Sequence, residues 1–277
     1  MTESMGKSAE KQGGFAFYAW AKIFLIMVAS LIAGSSPAQA PSFRWVRQAQ
    51  GNNLYSVDFV RCMAGDNAGN CFVAGDFGPT DMIFVGATVT NVFTEGAYVA
   101  KYDRYGNLLW ARQPLGPASS VNGVTADVSG NCYITGYFEN YTNTFGGITL
   151  SNSTGSPMGY TIKYDAYGNA VWAAQPSPDA VIFNAGLDTN GNLYVGGAFI
   201  SATIQFGGII LTNSSSYADY NYDFFLVKYD VQGNVLWAQV GGPGELARMK
   251  TDSAGNSSLV VASPADVHAP CRPIFPD

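Results

Sequence analysis

The chain has 277 residues and is acidic, with 14 Lys and Arg against 20 Asp and Glu and a formal net charge of −6. Nucleic-acid binding requires clustered basic side chains, so a chain in which 12% of residues are charged predicts no nucleic-acid partner. The length is sufficient to bury a sizeable hydrophobic core.

The N-terminal segment has the features of an export signal. An apolar run covers Ile23–Ala33, and Ala38–Ala40 has the small-x-small pattern that signal peptidases accept. Three lysines precede the run, at Lys7, Lys11 and Lys22. The run is shorter than the roughly 20 residues of a membrane-spanning helix. We therefore predict a signal peptide over residues 1–40 and a secreted, periplasmic or cell-surface protein without a membrane span after cleavage. An uncleaved anchor is the alternative.

Two motifs then recur with a common spacing of 61 to 65 residues. The motif Lys-Tyr-Asp-x-x-Gly-Asn-x-x-Trp occupies Lys101–Trp110, Lys163–Trp172 and Lys228–Trp237. A second motif, Asp-x-x-Gly-Asn, begins in step with it at Asp66, Asp127, Asp188 and Asp252. Two interleaved motifs that share one period indicate a tandem repeat array.

Each repeat predicts four antiparallel strands. In one repeat, strand-like segments cover Val121–Asp127, Cys132–Phe138, Tyr160–Tyr164 and Ala170–Ala174. Asp and Gly in the intervening motifs predict tight turns, because Asp bonds its own backbone and Gly tolerates positive φ. A four-stranded meander at this period is typical of a β-propeller blade, so we predict an all-β, propeller-like array.

The predicted organisation is a repeat domain over residues 41–262, followed by an irregular tail over residues 263–277. Its units cover about 51–113, 114–175 and 176–239, with a partial unit at 240–262. Closed propellers typically have about four to eight blades, so this number of units predicts an open or incomplete ring. A ring assembled between chains, or a truncated gene remnant without selected function, are the alternatives.

The tryptophans recur at one position of the repeat, which predicts a structural role between blades. They are Trp45, Trp110, Trp172 and Trp237, and the first belongs to an isolated strand, Phe43–Gln48, that matches Leu108–Gln113. A blade cannot bury both faces alone, so we expect these rings in the inter-blade core. The recurring lysines Lys101, Lys163 and Lys228 either lie over the blade face or cap a neighbour's turn.

These motifs resemble the SBBP-type β-propeller repeat of exported bacterial proteins over roughly residues 43–262. The segments that carry the resemblance are Asp127–Gly136, Phe145–Gly147 and Lys163–Trp172, which recur as Asp188–Gly197, Phe206–Gly208 and Lys228–Trp237. The first unit departs from the pattern with Phe84-Val85-Gly86. The resemblance implies a propeller on a secreted or surface protein, and it implies no single activity.

Long inserts between the second and third strands of each unit are the candidate binding regions. They cover Phe77–Gly96, Tyr137–Gly159 and Phe199–Asp223. Aromatic and amide side chains suit sugars or partner proteins. The candidate ligand-binding residues are Tyr137, Tyr141, Asn143, Tyr217, Tyr220 and Tyr222. The alternative is that Phe145 and Phe206 begin extra hairpins packed on the blade.

The cysteines offer one candidate disulfide and no zinc site. Cys62 and Cys71 flank the turn at Asp66 and could face each other on adjacent strands, whereas Cys132 fits a small buried side chain. No cysteine spacing suits zinc. The Asp-x-x-Gly-Asn turns raise calcium as a ligand, but each has a single acid. We therefore expect no metal and no cofactor.

The sequence offers little evidence for a combination of residues that could form a catalytic site. The single histidine, His268, lies in the tail, and no spacing selects Asp219 and Asp223 as a catalytic pair. The sequence therefore predicts a non-enzymatic exported scaffold for surface or extracellular interactions with proteins or glycans, with self-association open. A carbohydrate-binding module that uses the Tyr- and Asn-rich inserts is the main alternative.

Overall fold

The computed structural model describes residues 45–47, 50–51, 58–78, 81–84, 86–90, 96–113, 119–139, 142–176, 180–214 and 222–262. All of them belong to one compact unit, Trp45–Asp277. The predicted signal peptide and the predicted tail lie outside the described residues. Every regular element in the described ranges is a β-strand, which confirms the all-β prediction.

The strands fall into three full units and a partial fourth. The first unit contains β1 (Gln50–Gly51), β2 (Phe59–Gly65), β3 (Cys71–Phe77), β4 (Asp81–Phe84), β5 (Ala87–Thr90), β6 (Gly96–Tyr102) and β7 (Leu108–Arg112). The second contains β8 (Ser119–Ala126), β9 (Cys132–Phe138), β10 (Thr142–Phe145), β11 (Ile148–Ser151), β12 (Met158–Tyr164) and β13 (Ala170–Ala174). The third contains β14 (Ala180–Leu187), β15 (Leu193–Phe199), β16 (Thr203–Phe206), β17 (Ile209–Thr212), β18 (Asp223–Tyr229) and β19 (Val235–Pro243). The partial unit contains β20 (Glu245–Thr251) and β21 (Ser257–Ala262).

Each full unit is built on four antiparallel main strands in sequence order. The orders are β2-β3-β6-β7, β8-β9-β12-β13 and β14-β15-β18-β19. The short strands between the second and third main strands pair with each other as separate hairpins. One parallel contact, between Met158 and Ala180, links the second sheet to the third. The second and third units therefore fold as the meander that the sequence predicts.

The first main strand of every unit carries a β-bulge at the same repeat position. The register shifts lie between Val60 and Cys62, Val121 and Gly123, Ile182 and Asn184, and Leu246 and Arg248. A bulge bends a strand and increases its twist. The four bulged strands, β2, β8, β14 and β20, contact one another in series, so they form the inner row of the array.

The hydrophobic core lies between consecutive units. One cluster combines Phe72 and Trp110 of the first unit with Ile134 and Tyr164 of the second. Another places Tyr133 of the second unit against side chains of the third. Because a four-stranded sheet has two faces, packing each unit against the next removes both faces from water.

Candidate interaction surfaces

Two sets of Asp-x-x-Gly-Asn turns organise the array. The inner turns join the first and second main strands, at Asp66–Asn70, Asp127–Asn131, Asp188–Asn192 and Asp252–Asn256. The outer turns join the third and fourth main strands, at Asp103–Asn107, Asp165–Asn169 and Asp230–Asn234. All of them share one hydrogen-bond pattern.

The outer turn of the second unit shows how the turn carboxylate is used. Asp165 Oδ1 accepts from the backbone amides of Tyr167 at 2.9 Å and Asn169 at 2.8 Å. Asp165 Oδ2 accepts from Asn169 Nδ2 at 2.9 Å. The Gly168 amide donates to the Asp165 carbonyl at 3.0 Å, with a glycine φ of 80°. The carboxylate is thus occupied by donors of its own turn, as expected for a structural aspartate.

Hydrogen bonding favours the ionised form of five of the turn carboxylates. Burial acts to raise the pKa of Asp103, Asp165 and Asp188, but the turn donors outweigh it and lower each pKa. At Asp230 and Asp252 the Asn side-chain donor is the largest influence, and the pKa is again lowered. Across the described ranges, no group of three or more His, Cys, Asp or Glu side chains is arranged to hold a metal ion.

A tryptophan of one unit lies on the outer turn of the next. A Cβ added to Gly168 would lie 2.8 Å from the Trp110 ring, and one added to Gly233 would lie 2.7 Å from the Trp172 ring. Trp45 covers Gly106 in the same way, at 2.7 Å. These glycines therefore satisfy two requirements at once: a positive φ and direct contact between the backbone and an aromatic ring.

Polar contacts accompany each of these ring contacts. Trp110 Nε1 donates to the Ala166 carbonyl at 3.0 Å, and Lys101 Nζ donates to the same carbonyl at 3.3 Å. In the next interface, Trp172 Nε1 and Lys163 Nζ both donate to the Val231 carbonyl, at 3.3 Å and 3.2 Å.

Two of the recurring lysines, Lys101 and Lys163, combine the two roles that the sequence leaves open. Lys101 Nζ also donates to the Gly130 carbonyl of the inner turn at 2.8 Å. The same atom lies 4.9 Å from the centre of the Phe72 ring, and Lys163 Nζ lies 5.1 Å from the Tyr133 ring. Lys101 and Lys163 therefore cap the neighbour's turns and also cover an aromatic face of their own unit.

The lysine of the third unit, Lys228, makes different contacts from Lys101 and Lys163. Lys228 Nζ pairs with Asp188 Oδ2 of its own unit at 3.2 Å, and it lies 4.7 Å from the Tyr194 ring. Burial acts to lower the pKa of Lys228, but hydrogen bonds with Tyr194 and Asp188 outweigh it and raise the pKa. The described part of the partial unit has an inner turn and no outer turn, so no described carbonyl corresponds to Ala166 or Val231.

A groove of about 460 Å³ lies beside Trp237. We call it the Trp237 groove and define it by Tyr194, Leu226, Trp237, Gln239, Ala254, Gly255, Asn256 and Ser257. The Trp237 and Tyr194 rings meet edge to face, with centroids 5.9 Å apart. The groove therefore presents an aromatic wall on the third unit and a turn of the partial unit.

The inner row of strands lines a second, open cavity of about 520 Å³. We call it the central cavity; it is lined by parts of β2, β8, β14 and β20, including Arg61, Asn184, Arg248 and Lys250. The Arg61 guanidinium forms an ion pair with Asp76. Asp76 also accepts from Ser120 Oγ at 3.0 Å and from the Val121 amide at 2.9 Å, so it joins the first unit to the second.

The inserts that carry the predicted ligand-binding residues form packed hairpins. Phe145 lies 4.9 Å from the Tyr160 ring, and Phe206 lies 4.8 Å from the Phe225 ring. The structure thus agrees with the alternative of an extra hairpin on the blade.

The structure places the predicted ligand-binding residues in different environments. Asn143 is fully buried in β10, Tyr137 is half-buried in β9, and Tyr222 is 38% exposed just before β18. Tyr141, Tyr217 and Tyr220 lie outside the described residues. The described members form no common surface cluster, and a buried Asn143 does not meet a ligand at the surface.

The predicted disulfide between Cys62 and Cys71 is wrong. Both thiols are free. The inner turn sets the register, which pairs Cys62 with Ala74 and Cys71 with Gly65, so the two cysteines are not opposite each other. Cys132 is completely buried, as its repeat position predicts.

Sequence reasoning missed the Trp237 groove, although a signal for it was present. The inner-turn motif occurs four times, whereas the outer-turn motif occurs three times. Trp45, Trp110 and Trp172 each lie on an outer turn of the next unit, whereas the described residues after Trp237 contain no outer turn. Comparing the two motif counts would have located the groove.

Comparisons with known proteins support a repeat protein. No protein-family model matches the chain. An uncharacterized WD repeat-containing protein, L264 of Acanthamoeba polyphaga mimivirus, is 30% identical over 152 residues, which cover 49% of this chain. The chain spans only 10% of the length of that relative. A crystal structure of a protein of unknown function from Bacteroides caccae shares 12% identity and covers 66% of this chain and 82% of its own, with a TM-score of 0.23.

No helix within the described ranges is long and apolar enough to cross a bilayer.

Proposed function

We propose that the chain is a β-propeller-like repeat scaffold that is exported, binds other macromolecules and has no enzymatic activity of its own. The observation that carries the proposal is the repeated contact between a tryptophan and the next unit's outer-turn glycine. It stacks consecutive four-stranded sheets around one row of inner strands. The similarity to a WD-repeat protein supports the same architecture.

We infer that the units form an open or incomplete ring. In support, the bulged inner strands of four units line one open cavity, and the fourth unit has two strands in the described residues. Light scattering and small-angle X-ray scattering of residues 41–277 test this inference. We expect a monomer whose shape fits a partial ring. A discrete dimer or trimer would instead favour a ring closed between chains.

A non-enzymatic role is supported by the protonated state of the cysteine thiols and by the hydrogen bonds of the turn aspartates. Burial, followed by the charge of Asp76, raises the pKa of Cys62 to about 12, and burial also raises the pKa of Cys71 and Cys132. Thiols of this kind are poor nucleophiles at neutral pH. The turn aspartates accept several hydrogen bonds each. Screening the full chain against glycan and peptide libraries tests the role: turnover that is lost on changing Asp223 to Asn would contradict it.

Export is tested by expressing the full chain in a bacterial host and fractionating the culture. We expect the protein outside the cytoplasm with Pro41 as its first residue, because Ala38–Ala40 is the predicted cleavage pattern. A cytoplasmic protein that retains Met1 would contradict the export proposal, and an exported protein that retains its N-terminus would indicate an anchor.

Glycan binding is a second candidate function, and one observation favours it. Tyr222 is 38% exposed at the end of the third insert, so its ring is accessible to a sugar face. A glycan array probed with the wild-type chain and with Tyr222→Ala tests this candidate. Tyr105→Ala is the matched control, because Tyr105 is an exposed tyrosine of the first unit's outer turn.

A further inference from the structure

The central cavity has a basic lining in an acidic chain. The described residues that line it include three cationic side chains, Arg61, Arg248 and Lys250, and no aspartate or glutamate. The chain as a whole carries a formal net charge of −6. A concave surface lined by cationic side chains concentrates their electric field and attracts anions. The volume of about 520 Å³ is typical of sites that bind small molecules.

Two polar side chains of the lining are engaged in holding the units together. Arg61 forms the ion pair with Asp76, and Asp76 in turn accepts from the Val121 amide of the second unit. Asn122 Nδ2 donates to the Ile182 carbonyl at 2.8 Å, which joins the second unit to the third. These contacts fix the walls of the cavity, so recognition of a ligand falls to other side chains.

The other cationic and amide side chains of the lining lie on β14 and β20. The residue that follows the bulge is Cys62 in β2, Gly123 in β8, Asn184 in β14 and Arg248 in β20. This repeat position therefore carries hydrogen-bond donors with long side chains only on the neighbouring strands β14 and β20. Because β8 accepts glycine there, the scaffold itself does not require a guanidinium. The change indicates a role that is particular to one side of the cavity.

The strand β20 presents two cations on one face. Arg248 and Lys250 are both exposed, whereas Met249 between them is buried in the core. Alternate residues of a strand point to the same face, so both cations lie on the open side of β20. The ion pairs found among the described residues do not include Lys250. The cavity therefore has a cationic wall beside Asn184.

Asn184 supplies a hydrogen-bond donor that the protein itself does not use. Its Nδ2 atom is buried and has no hydrogen-bond partner in the structure described. A buried amide donor without an acceptor is unfavourable, and native proteins retain few of them. Because no hydrogen bond holds this nitrogen, the side chain is able to turn it toward a ligand in the cavity. An oxyanion would accept from this amide and from the adjacent cations at once.

We propose that the central cavity binds a small molecule through an oxyanion group, which is a carboxylate, a phosphate or a sulfate. Arg248 and Lys250 of β20 donate to the oxygens of this group, and Asn184 of β14 adds a neutral donor. Arg61 and Asn122 hold the walls of the site. The inference goes beyond the proposed scaffold function, because the ligand is a small molecule bound inside the array.

Glucose and three anionic derivatives of it are the probes, namely glucuronate, glucose 6-phosphate and glucose 6-sulfate. Isothermal titration calorimetry of the full chain at low ionic strength measures their binding. We expect saturable binding, with one site per chain, for at least one of the three anions and no binding of glucose. The anion that binds most tightly identifies the class of oxyanion. Binding should weaken when sodium chloride is added, because salt screens charges at an open site.

Variants of β20 separate a specific site from general attraction to a cationic surface. Lys250→Met should weaken binding of the tightest probe at least about fivefold, because it removes a charge-assisted hydrogen bond. Lys250→Arg should stay within about threefold of wild type, because it keeps a cationic donor. Arg248→Gln should weaken binding as Lys250→Met does. Circular dichroism confirms that each variant is folded, and the exposed position of Lys250 keeps its replacement out of the core.

Arg104→Gln is the matched control for the loss of charge. Arg104 is an exposed cation of the first unit's outer turn and does not line the cavity. Its replacement removes one positive charge from the chain, as Lys250→Met does. Binding should stay within about twofold of wild type, because a distant exposed charge is screened.

Asn184→Leu distinguishes a ligand-binding role of this amide from a structural one. The substitution removes the unpartnered donor and keeps a side chain of similar size. We expect binding to weaken about threefold while the melting temperature stays equal to wild type or rises, because a buried unsatisfied group is removed. A variant that keeps its affinity for the probe would contradict the assignment of Asn184 to the ligand.

Three outcomes would overturn the proposal. They are no saturable binding of any of the three anions, equal binding of glucose and its anionic derivatives, and equal loss of binding in Lys250→Met and Arg104→Gln. A negative titration would leave the scaffold proposal standing, because export and solution shape are measured separately.

Discussion

Within the described residues, the two sides of the third unit make different contacts. On the side of the second unit, Trp172 lies on Gly233 and shares the Val231 carbonyl with Lys163. On the other side, Trp237 borders a groove, and Lys228 pairs with Asp188 of its own unit. The same motif therefore makes different contacts, depending on whether the next unit supplies an outer turn. This difference separates what a repeat motif contributes alone from what its neighbour contributes.

The largest expected effect is on stability, and it should differ between Trp172 and Trp237. Trp172→Ala should lower the free energy of unfolding by about 3–5 kcal/mol, because it opens a cavity between two complete units. Trp237→Ala should lower it by about 1–2 kcal/mol, because this ring borders a groove instead of lying between two complete units. Urea unfolding of both variants measures the two changes. Equal losses would mean that the interface beyond Trp237 is as complete as the one at Trp172.

A smaller effect isolates the contact between glycine and the ring. Gly168→Ala should cost about 3 kcal/mol, since it combines an unfavourable positive φ with overpacking against Trp110. Gly155→Ala is the matched control: its φ of 75° is close to the 80° of Gly168, but nothing lies within 4 Å of its added Cβ. The control should lose only about 1 kcal/mol from backbone strain. If the melting temperature falls equally in both variants, the contact with the Trp110 ring does not contribute to the cost.

Because the turn aspartates are hydrogen-bonded as carboxylates, we expect the protein to lose stability in acid. Turn hydrogen bonds lower the folded-state pKa of five of them below the ordinary value of 3.8, namely Asp103, Asp165, Asp188, Asp230 and Asp252. A lowered pKa contributes stability that is present above the unfolded-state pKa and is lost as the pH falls through the folded-state pKa. The melting temperature should be level above about pH 5 and fall by several degrees below about pH 4. A melting temperature that stays constant down to pH 2.5 would contradict a structural role for these carboxylates.

The smallest expected effect concerns Lys228. Lys228→Met removes the cation that helps to lower the pKa of Asp188, so we expect a loss of about 1 kcal/mol at neutral pH and an acid transition at higher pH. Lys163→Met is the comparison variant: it removes a bond to the next unit rather than one within the unit. A pH titration of thermal stability reads out the difference, because only the Lys228 variant should move the acid transition. An unchanged acid transition would argue against coupling between Lys228 and Asp188.

The repeat architecture was predictable because its signals are local. Asp165 and Gly168 specify a turn within five residues, and alternating apolar side chains specify the strands beside it. The position of Trp110 and Trp172 between units followed from their period, since a sheet with two apolar faces requires neighbours. The same reasoning would have found the Trp237 groove if the two motif counts had been compared.

Contacts across the sheet were less predictable. The candidate disulfide failed because two cysteines near one turn are not opposite each other unless the register of the hairpin makes them so. Asn143 was expected at a ligand surface, but the hairpin β10–β11 folds back on the blade and buries it. The pairing of Arg61 with Asp76 depends on a bulge at Arg61, which no sequence motif indicates.

The number of repeats, their strand order and their turn chemistry followed from the order of amino acids alone, because these properties depend on residues within a few positions of one another. The inner row of bulged strands, the central cavity and the groove beside Trp237 emerged from the folded arrangement. They depend on contacts between residues about sixty positions apart, and packing between whole units sets the geometry of those contacts.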